Sequence, residues 1–159
     1  MSMQKVIDQI DYDFDQFSLD SFISKVGEWG HTEIKLCVCD LYSNLNAFGA
    51  YIPISDGLQM IFVDENLPHL HRLSTILHEI GHYVLGHEAM TYEELCLLRG
   101  RNLKAIFRRD DSADEREAEL FAHTIISKVQ DNMSYSRFRA SCIPVGDTYK
   151  RYFEGLGIL

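Results

Sequence analysis

The alternation of hydrophobic and polar residues predicts strands in the first half of the chain and helices in the second half. A helix over residues 18–29 comes first and begins at Ser18, a favourable N-cap residue. Apolar runs typical of strands follow at 32–41, 47–54 and 58–64. The turn signal Asp56-Gly57 separates the last two runs, which therefore predict a hairpin, and Pro53 favours an edge position for the middle strand.

Two longer segments have helical periodicity. The first covers residues 68–87, where Pro68 suits a helix start and Gly86 suits a helix end. Its apolar face contains Leu70, Leu73, Leu77, Ile80 and Val84. The second covers residues 112–129, and its apolar face contains Ala118, Phe121, Ala122, Ile125 and Val129. Strands followed by helices predict an α+β fold, and a chain of 159 residues predicts one domain, residues 1–159.

Weaker signals complete the pattern. Thr91 and Glu94 form a capping-box pattern for a short helix that should end near Gly100, and helical signals recur at 134–140 and 147–155. A basic cluster lies between the two long helices and consists of Arg99, Arg101, Lys104, Arg108 and Arg109. Such a cluster is typical of a solvated surface, and the alternative is a docking surface for an acidic patch on a substrate protein.

The first long helix contains the HExxH motif His78-Glu79-Ile80-Gly81-His82. Residues four apart lie on one helix face, so the two imidazoles can occupy two corners of a tetrahedral zinc site. Both histidines lie roughly opposite the apolar face, which can pack on the protein while the imidazoles point away from it. Glu79 can take a proton from a water molecule held by the metal, as in metalloproteases. The alternative is a pair of polar residues on a solvated helix face.

A catalytic zinc site usually has a third protein ligand. The metzincin arrangement requires a histidine six residues after His82, but that position is Glu88, and His87 is one residue out of register. We therefore reject this arrangement and interpret His87 as a residue at the helix C-terminus that complements the helix dipole. Glu79 is the predicted general base. The sequence does not identify the group that stabilises the oxyanion, and the candidates are Tyr83, Tyr92, His87, His123 and the arginines.

The second long helix offers carboxylates for the third position. Glu115 lies nearest the apolar face, roughly 60° away on a helical wheel, whereas Glu117 and Glu119 lie about 100° away. The sequence therefore ranks Glu115 ahead of Glu117 as a ligand. A competing interpretation is that Ser112 and Glu115 form a capping box, with the carboxylate folded back onto the backbone of Ser112.

HEIGHYVLGH and the later EREAELFA together resemble the ImmA/IrrE family of zinc metallopeptidases, which pairs HExxH with an E-x-E-A-N/D-x-F-A segment. The resemblance implies a zincin-like fold, in which a small β-sheet lies beside the HExxH helix and a second helix that carries a metal ligand. It also implies that His78, His82 and Glu115 bind Zn²⁺ and that Glu79 is the catalytic base. The chain departs from the family pattern at Glu119, where the family often has Asn or Asp.

The same resemblance implies a substrate. Relatives cleave a helix-turn-helix repressor in mobile-element or stress-response regulation, so we expect a zinc metallopeptidase that relieves repression in this way. One alternative is a metal-binding module that sequesters a transcription regulator without cutting it, and another is a metal-free structural protein. Glu79 favours the peptidase, because binding alone does not need a base.

Charge and hydropathy argue against nucleic-acid-binding, membrane and secreted proteins. The formal net charge of −9 argues against direct binding of nucleic acid, which favours basic patches. No stretch approaches the ~18 apolar residues of a membrane helix, and the acidic start shows no secretory signal, so we expect a cytoplasmic enzyme without a membrane partner. The cysteines are expected to be buried thiols without a second metal site or disulfides, since no C-x-x-C pair occurs among Cys37, Cys39, Cys96 and Cys142.

Overall fold

The computed structural model describes residues 2–97, 112–134 and 137–138. Its helices are α1 (Met3–Ile10), a 3₁₀ turn (Phe14–Gln16), α2 (Leu19–Trp29), α3 (Leu41–Leu45), α4 (His69–Leu85), α5 (Tyr92–Leu97) and α6 (Ala113–Asn132). Its strands are β1 (Glu33–Cys39), β2 (Gly49–Ser55) and β3 (Leu58–Asp64). This order of strands and helices is the α+β fold that the sequence predicts.

The strands form one mixed sheet in the order β1-β3-β2. β3 runs parallel to β1 and antiparallel to β2, so the predicted hairpin is confirmed. Pro53 lies in β2, an edge strand of this sheet, and the β2–β3 register shifts between Pro53 and Ser55. An edge strand tolerates proline because the missing N–H does not have to pair with a further strand.

The alternation of side chains along the strands separates two cores. On one face Ile34, Ile61 and Val63 pack with the apolar residues of α1, α2, α4 and α6. The opposite face packs against α3 in a second cluster that contains Cys37, Cys39, Leu41, Leu45, Ala50, Ile52, Met60 and Phe62. Cys37 and Cys39 are therefore buried thiols, as predicted. The side chains of Cys96 and Cys142 lie outside the described part of the chain.

Most predicted elements occur within a residue or two of their expected bounds. Helix α2 begins after Ser18, whose Oγ accepts a hydrogen bond from the Ser21 N–H at 3.2 Å. Helix α1 is not predicted by the sequence pattern, because acidic and polar neighbours obscure its three buried residues, Val6, Ile7 and Ile10. The basic cluster, the end of the helix near Gly100 and the signal at 147–155 lie outside the described residues, as does most of 134–140. The assignment of one domain stays a prediction.

Helix α4 packs along α6, and this contact determines where the polar residues of the two helices meet. A Cβ atom at Gly81 would lie 3.2 Å from both Cα and the carbonyl oxygen of Ala118. Most side-chain carbons keep a larger separation, so glycine at this position allows the helices to approach closely. Phe121 and Ile125 continue the buried contact along α6. Among the described helices, none is both long and apolar enough to cross a membrane.

Candidate metal centre

Three potential ligand atoms converge where α4 passes the first turn of α6. Nε2 of His78 is 3.0 Å from Nε2 of His82 and 3.1 Å from Oε2 of Glu115. Nε2 of His82 is also 3.4 Å from Oε1 of Glu115. The helical repeat of α4 places the imidazoles one turn apart on one face, and the packing of α6 brings the carboxylate to them. The structure thus brings together the three residues that the sequence predicts as ligands.

The spacing and chemistry of these atoms suit a tetrahedral cation. Ligand atoms bound to zinc at tetrahedral angles, each about 2.0–2.1 Å from the ion, are about 3.3 Å apart. The separations in this group range from 3.0 to 3.4 Å. Two neutral imidazole nitrogens with lone pairs directed at each other repel, whereas a cation between them accepts both lone pairs. Two histidines and one carboxylate, with a fourth position open, are a donor set of catalytic zinc sites.

The capping-box interpretation of Glu115 is only half fulfilled. Ser112 Oγ accepts a hydrogen bond from the Glu115 N–H at 3.2 Å, as a capping box requires, but the Glu115 carboxylate lies against the two histidines. The same motif is complete in α5. There the Thr91 N–H donates to Oε2 of Glu94 at 2.8 Å, and Thr91 Oγ1 accepts from the Glu94 N–H at 3.2 Å. The tertiary contact with α4 therefore decides what the carboxylate of Glu115 does.

Glu79 lies beside the ligand group and lines the same cleft. Its side chain is buried, with 4% of the residue exposed. A Cβ atom at Gly49 of β2 would be 2.8 Å from Oε1 of Glu79 and 2.6 Å from Cγ2 of Thr75. Glycine at the start of β2 therefore leaves the space that the Glu79 carboxylate occupies.

The distal nitrogens of both histidines face further polar side chains. Nδ1 of His82 is 3.0 Å from Nδ1 of His87, and Nε2 of His87 is 3.5 Å from Oε2 of Glu117. Nδ1 of His78 is 3.9 Å from Oε2 of Glu119, the residue that departs from the family pattern. Glu117, the alternative third ligand in the sequence analysis, thus lies against His87, outside the converging group.

Tyr83 faces away from this cleft. Its ring contacts the ring of Tyr51 on the sheet, with centroids 5.8 Å apart. Burial, together with the neighbouring Tyr83, raises the pKa of Tyr51 to about 12, and burial also raises the pKa of Tyr83. Among the candidates for stabilising an oxyanion, His123 lies near the edge of the cleft, because its Nε2 is 3.2 Å from Oε1 of the cleft residue Glu119.

The cleft in front of the ligand group has a volume of about 340 Å³ and an aromatic rim. Phe48 lines it with 53% of its surface exposed, and Tyr42 beside it is 47% exposed. Their rings stack with centroids 4.9 Å apart and planes inclined by 15°. A larger cavity of about 660 Å³ between α2 and β1 contains none of the three potential ligands.

Asp64 binds the backbone of both residues of this aromatic rim. Asp64, which is 2% exposed, accepts a hydrogen bond from the Tyr42 N–H at 2.7 Å through Oδ2. Its own N–H donates to the carbonyl oxygen of Phe48 at 2.9 Å. Both backbone positions are thus tied to the end of β3, and the two stacked rings extend from these positions. The sequence pattern does not single out Tyr42 and Phe48, since a hydrophobic pattern does not show which apolar residues are exposed.

The comparison with known protein families agrees with this fold. A small mixed sheet beside an HExxH helix, with a carboxylate from a second helix, defines a zincin-like metallopeptidase. The IrrE N-terminal-like domain model of peptidase family M78 matches residues 38–141, a range that contains all three potential ligands and Glu79. The chain belongs to this family, the ImmA/IrrE family, and its function is of the metallopeptidase type. The comparisons with curated proteins and with solved structures found no match.

Proposed function

We propose that this protein is a cytoplasmic, zinc-dependent metalloprotease that cleaves a helix-turn-helix repressor and thereby relieves repression in mobile-element or stress-response regulation. The observation that carries the proposal is the convergence of His78, His82 and Glu115 beside the buried Glu79. Membership of the family supports peptide hydrolysis, and the donor set supports zinc. The resemblance of HEIGHYVLGH and EREAELFA to repressor-cleaving relatives supports the substrate.

In this proposal the site consists of three metal ligands and one general base. His78 and His82, through Nε2, and Glu115, through its carboxylate, would hold the ion. Zinc supplies Lewis acidity when bound, which activates water and polarises a carbonyl group. Glu79 accepts the proton of the attacking water and delivers it to the leaving amine nitrogen as the peptide bond breaks. Its burial keeps the carboxylate close to the ligand group and away from bulk solvent.

Charge complementarity also supports a DNA-binding substrate. Helix-turn-helix proteins carry basic surfaces for the phosphate backbone. The present chain has a formal net charge of −9, and the exposed carboxylate of Glu119 lies on the cleft. Opposite charges accelerate encounter between two proteins and fix their orientation. A basic repressor therefore suits this cleft better than an acidic one.

The test is direct incubation with candidate repressors. The zinc-loaded protein is mixed with each helix-turn-helix protein encoded near its own gene, and the fragments are mapped by mass spectrometry. We expect one or a few discrete cuts, which disappear when zinc is removed. A stable complex in which the repressor stays intact would instead support the alternative function, a metal-binding module that sequesters the regulator.

Glu115→Ala is expected to weaken zinc binding by more than about 100-fold. This exceeds the loss of about 10–100-fold that is usual when a residue that only hydrogen-bonds to a metal ligand is removed. Glu117→Ala, the matched substitution one position beyond Arg116, should cost about tenfold or less, because Glu117 contacts His87 and not the converging atoms. Zinc dissociation constants from competition with a chelator provide the measurement. The reverse ranking would make Glu117 the ligand.

Phe48→Ala is expected to lower kcat/KM for the cognate repressor by up to about tenfold, chiefly through KM. Fully burying an aromatic side chain contributes about 1.5–3 kcal/mol, and about half of Phe48 is already covered before substrate binds. Zinc content should not change. Leu97→Ala is the matched control, since Leu97 is 80% exposed and is not a cleft residue. Equal kinetics for the two variants would show that the aromatic rim does not contact the substrate.

A further inference from the structure

We infer that His87 is a positioning residue of the metal centre, which holds the imidazole of His82 in the orientation and proton arrangement that a metal ion needs. The inference rests on the metal site of the proposed function but does not require peptidase activity. It assigns to His87 a role that differs from the dipole interaction expected from the sequence. Its basis is the end of α4 together with two side-chain contacts.

The backbone at the end of α4 is built to return His87 to the site. Gly86 has a φ of 70°, in the left-handed region that glycine adopts without strain. The Gly86 N–H donates to the carbonyl oxygen of Tyr83 at 3.1 Å, and the His87 N–H donates to that of His82 at 3.0 Å. This pair of bonds is the Schellman ending of a helix, which reverses the chain over its last turn. His87 is therefore placed above His82 by local geometry.

The side chain of His87 then points at His82 and not at the helix carbonyls. The two Nδ1 atoms are 3.0 Å apart, an ordinary hydrogen-bond distance, and the ring centroids are 5.0 Å apart. The side chains of His82 and His87 are only 4% and 7% exposed. Because water has little access to this contact, its hydrogen bond is stronger than one on the surface.

The positions of the protons follow from the two ends of this chain of contacts. When Nε2 of His82 offers its lone pair to a metal ion, the ring proton must be on Nδ1. Nδ1 of His87 then has to be the acceptor, so the proton of His87 is on its Nε2. That atom faces Oε2 of Glu117 at 3.5 Å, and the carboxylate can only accept. Each histidine tautomer is thus fixed by the next acceptor in this series of hydrogen bonds, and the last acceptor is the exposed carboxylate of Glu117.

A ligand histidine commonly donates its second N–H to a carboxylate or a backbone carbonyl, and loss of that partner costs about 10–100-fold in metal affinity. Here an imidazole takes this place, and the carboxylate of Glu117 lies one residue further out. We therefore expect His87 to contribute most of the effect. Glu117 should contribute less, since its side chain is 60% exposed and its contact is longer.

Two substitutions distinguish hydrogen bonding from packing. His87→Phe keeps an aromatic ring against His82 but removes both nitrogens. His87→Asn loses the ring but keeps an acceptor oxygen near the place of Nδ1. We expect the zinc dissociation constant to rise about 10–100-fold in His87→Phe and clearly less in His87→Asn. A residue that only packs against His82 would give the opposite order.

The measurement is zinc affinity by chelator competition, with thermal unfolding of the zinc-free proteins to compare their folds. His71→Phe is the matched control, because His71 is an exposed histidine on α4. The zinc affinity of this variant should equal that of the wild type. His87→Leu, which is smaller and also lacks polar side-chain atoms, repeats the comparison if the phenyl ring disrupts folding.

The outcomes separate this inference from the proposed function. If His87→Phe and His87→Leu bind zinc as tightly as the wild type does, the inference is overturned and the metal site is left intact. The same holds if His87→Asn alone binds zinc more weakly than the wild type. A wild type that binds no zinc would overturn both. His87 is supported as a positioning residue if zinc affinity decreases from the wild type to His87→Asn and then to His87→Phe and His87→Leu, while the thermal stability of the zinc-free proteins does not follow that order.

Discussion

Glu79→Gln is expected to lower the rate of repressor cleavage by about 10²- to 10⁴-fold, the usual loss when a general base is removed. The amide has nearly the shape of the carboxylate, so it fits the space beside Gly49. It cannot accept the proton of the attacking water. Because Glu79 lies outside the converging group of His78, His82 and Glu115, the zinc content should stay close to that of the wild type.

This prediction is checked by cleavage kinetics at matched zinc content. Glu88→Gln is the matched control, since Glu88 is an exposed glutamate shortly after the same helix and should cleave at the wild-type rate. Cleavage by Glu79→Gln at the wild-type rate would exclude Glu79 as the base. Binding of the repressor without any cleavage by the zinc-loaded wild type would favour the sequestering module.

The wild type is expected to bind about one zinc ion per chain, and the double variant His78→Ala/His82→Ala is expected to bind almost none. Each single variant should also lose most of its zinc, because the remaining imidazole and Glu115 provide only two ligands. Metal analysis after dialysis provides the measurement. His71→Ala serves as the control on α4, because this exposed histidine is not part of the ligand group.

Thermal unfolding gives an independent test of the same site. A ligand that binds only the folded protein stabilises it by RT ln(1 + [L]/Kd), or about 2.7 kcal/mol at a concentration 100 times Kd. Zinc should therefore raise the unfolding temperature of the wild type and of His71→Ala. The double variant should not respond to zinc, and full occupancy or an equal thermal shift in that variant would disprove the site.

The sequence by itself determined the features that depend on local periodicity. The spacing of four residues between His78 and His82 puts them on one face of any helix, whatever else the fold does. Alternation along the strands and the turn at Asp56-Gly57 predicted the hairpin, and the apolar faces predicted both long helices. The combination of HExxH with EREAELFA was also enough to identify the family, which the family match to residues 38–141 confirms.

Tertiary structure decided which of several locally possible contacts each polar side chain makes. The capping-box pattern occurs at Thr91 and at Ser112, but only Glu94 folds back on its own helix end, since Glu115 meets two histidines from α4. Glu117 turns to His87, a contact that no periodicity within one helix predicts.

The aromatic rim and the partner of His82 also depended on the fold. Phe48 is exposed beside the cleft because Asp64 binds its backbone from a neighbouring strand, and His87 returns to His82 because Gly86 ends α4 in a left-handed turn. A sequence pattern reports the preferences of one segment, whereas these contacts depend on the distance between segments. That distance is fixed by close packing, as at Gly81 against Ala118, and therefore only by the assembled structure.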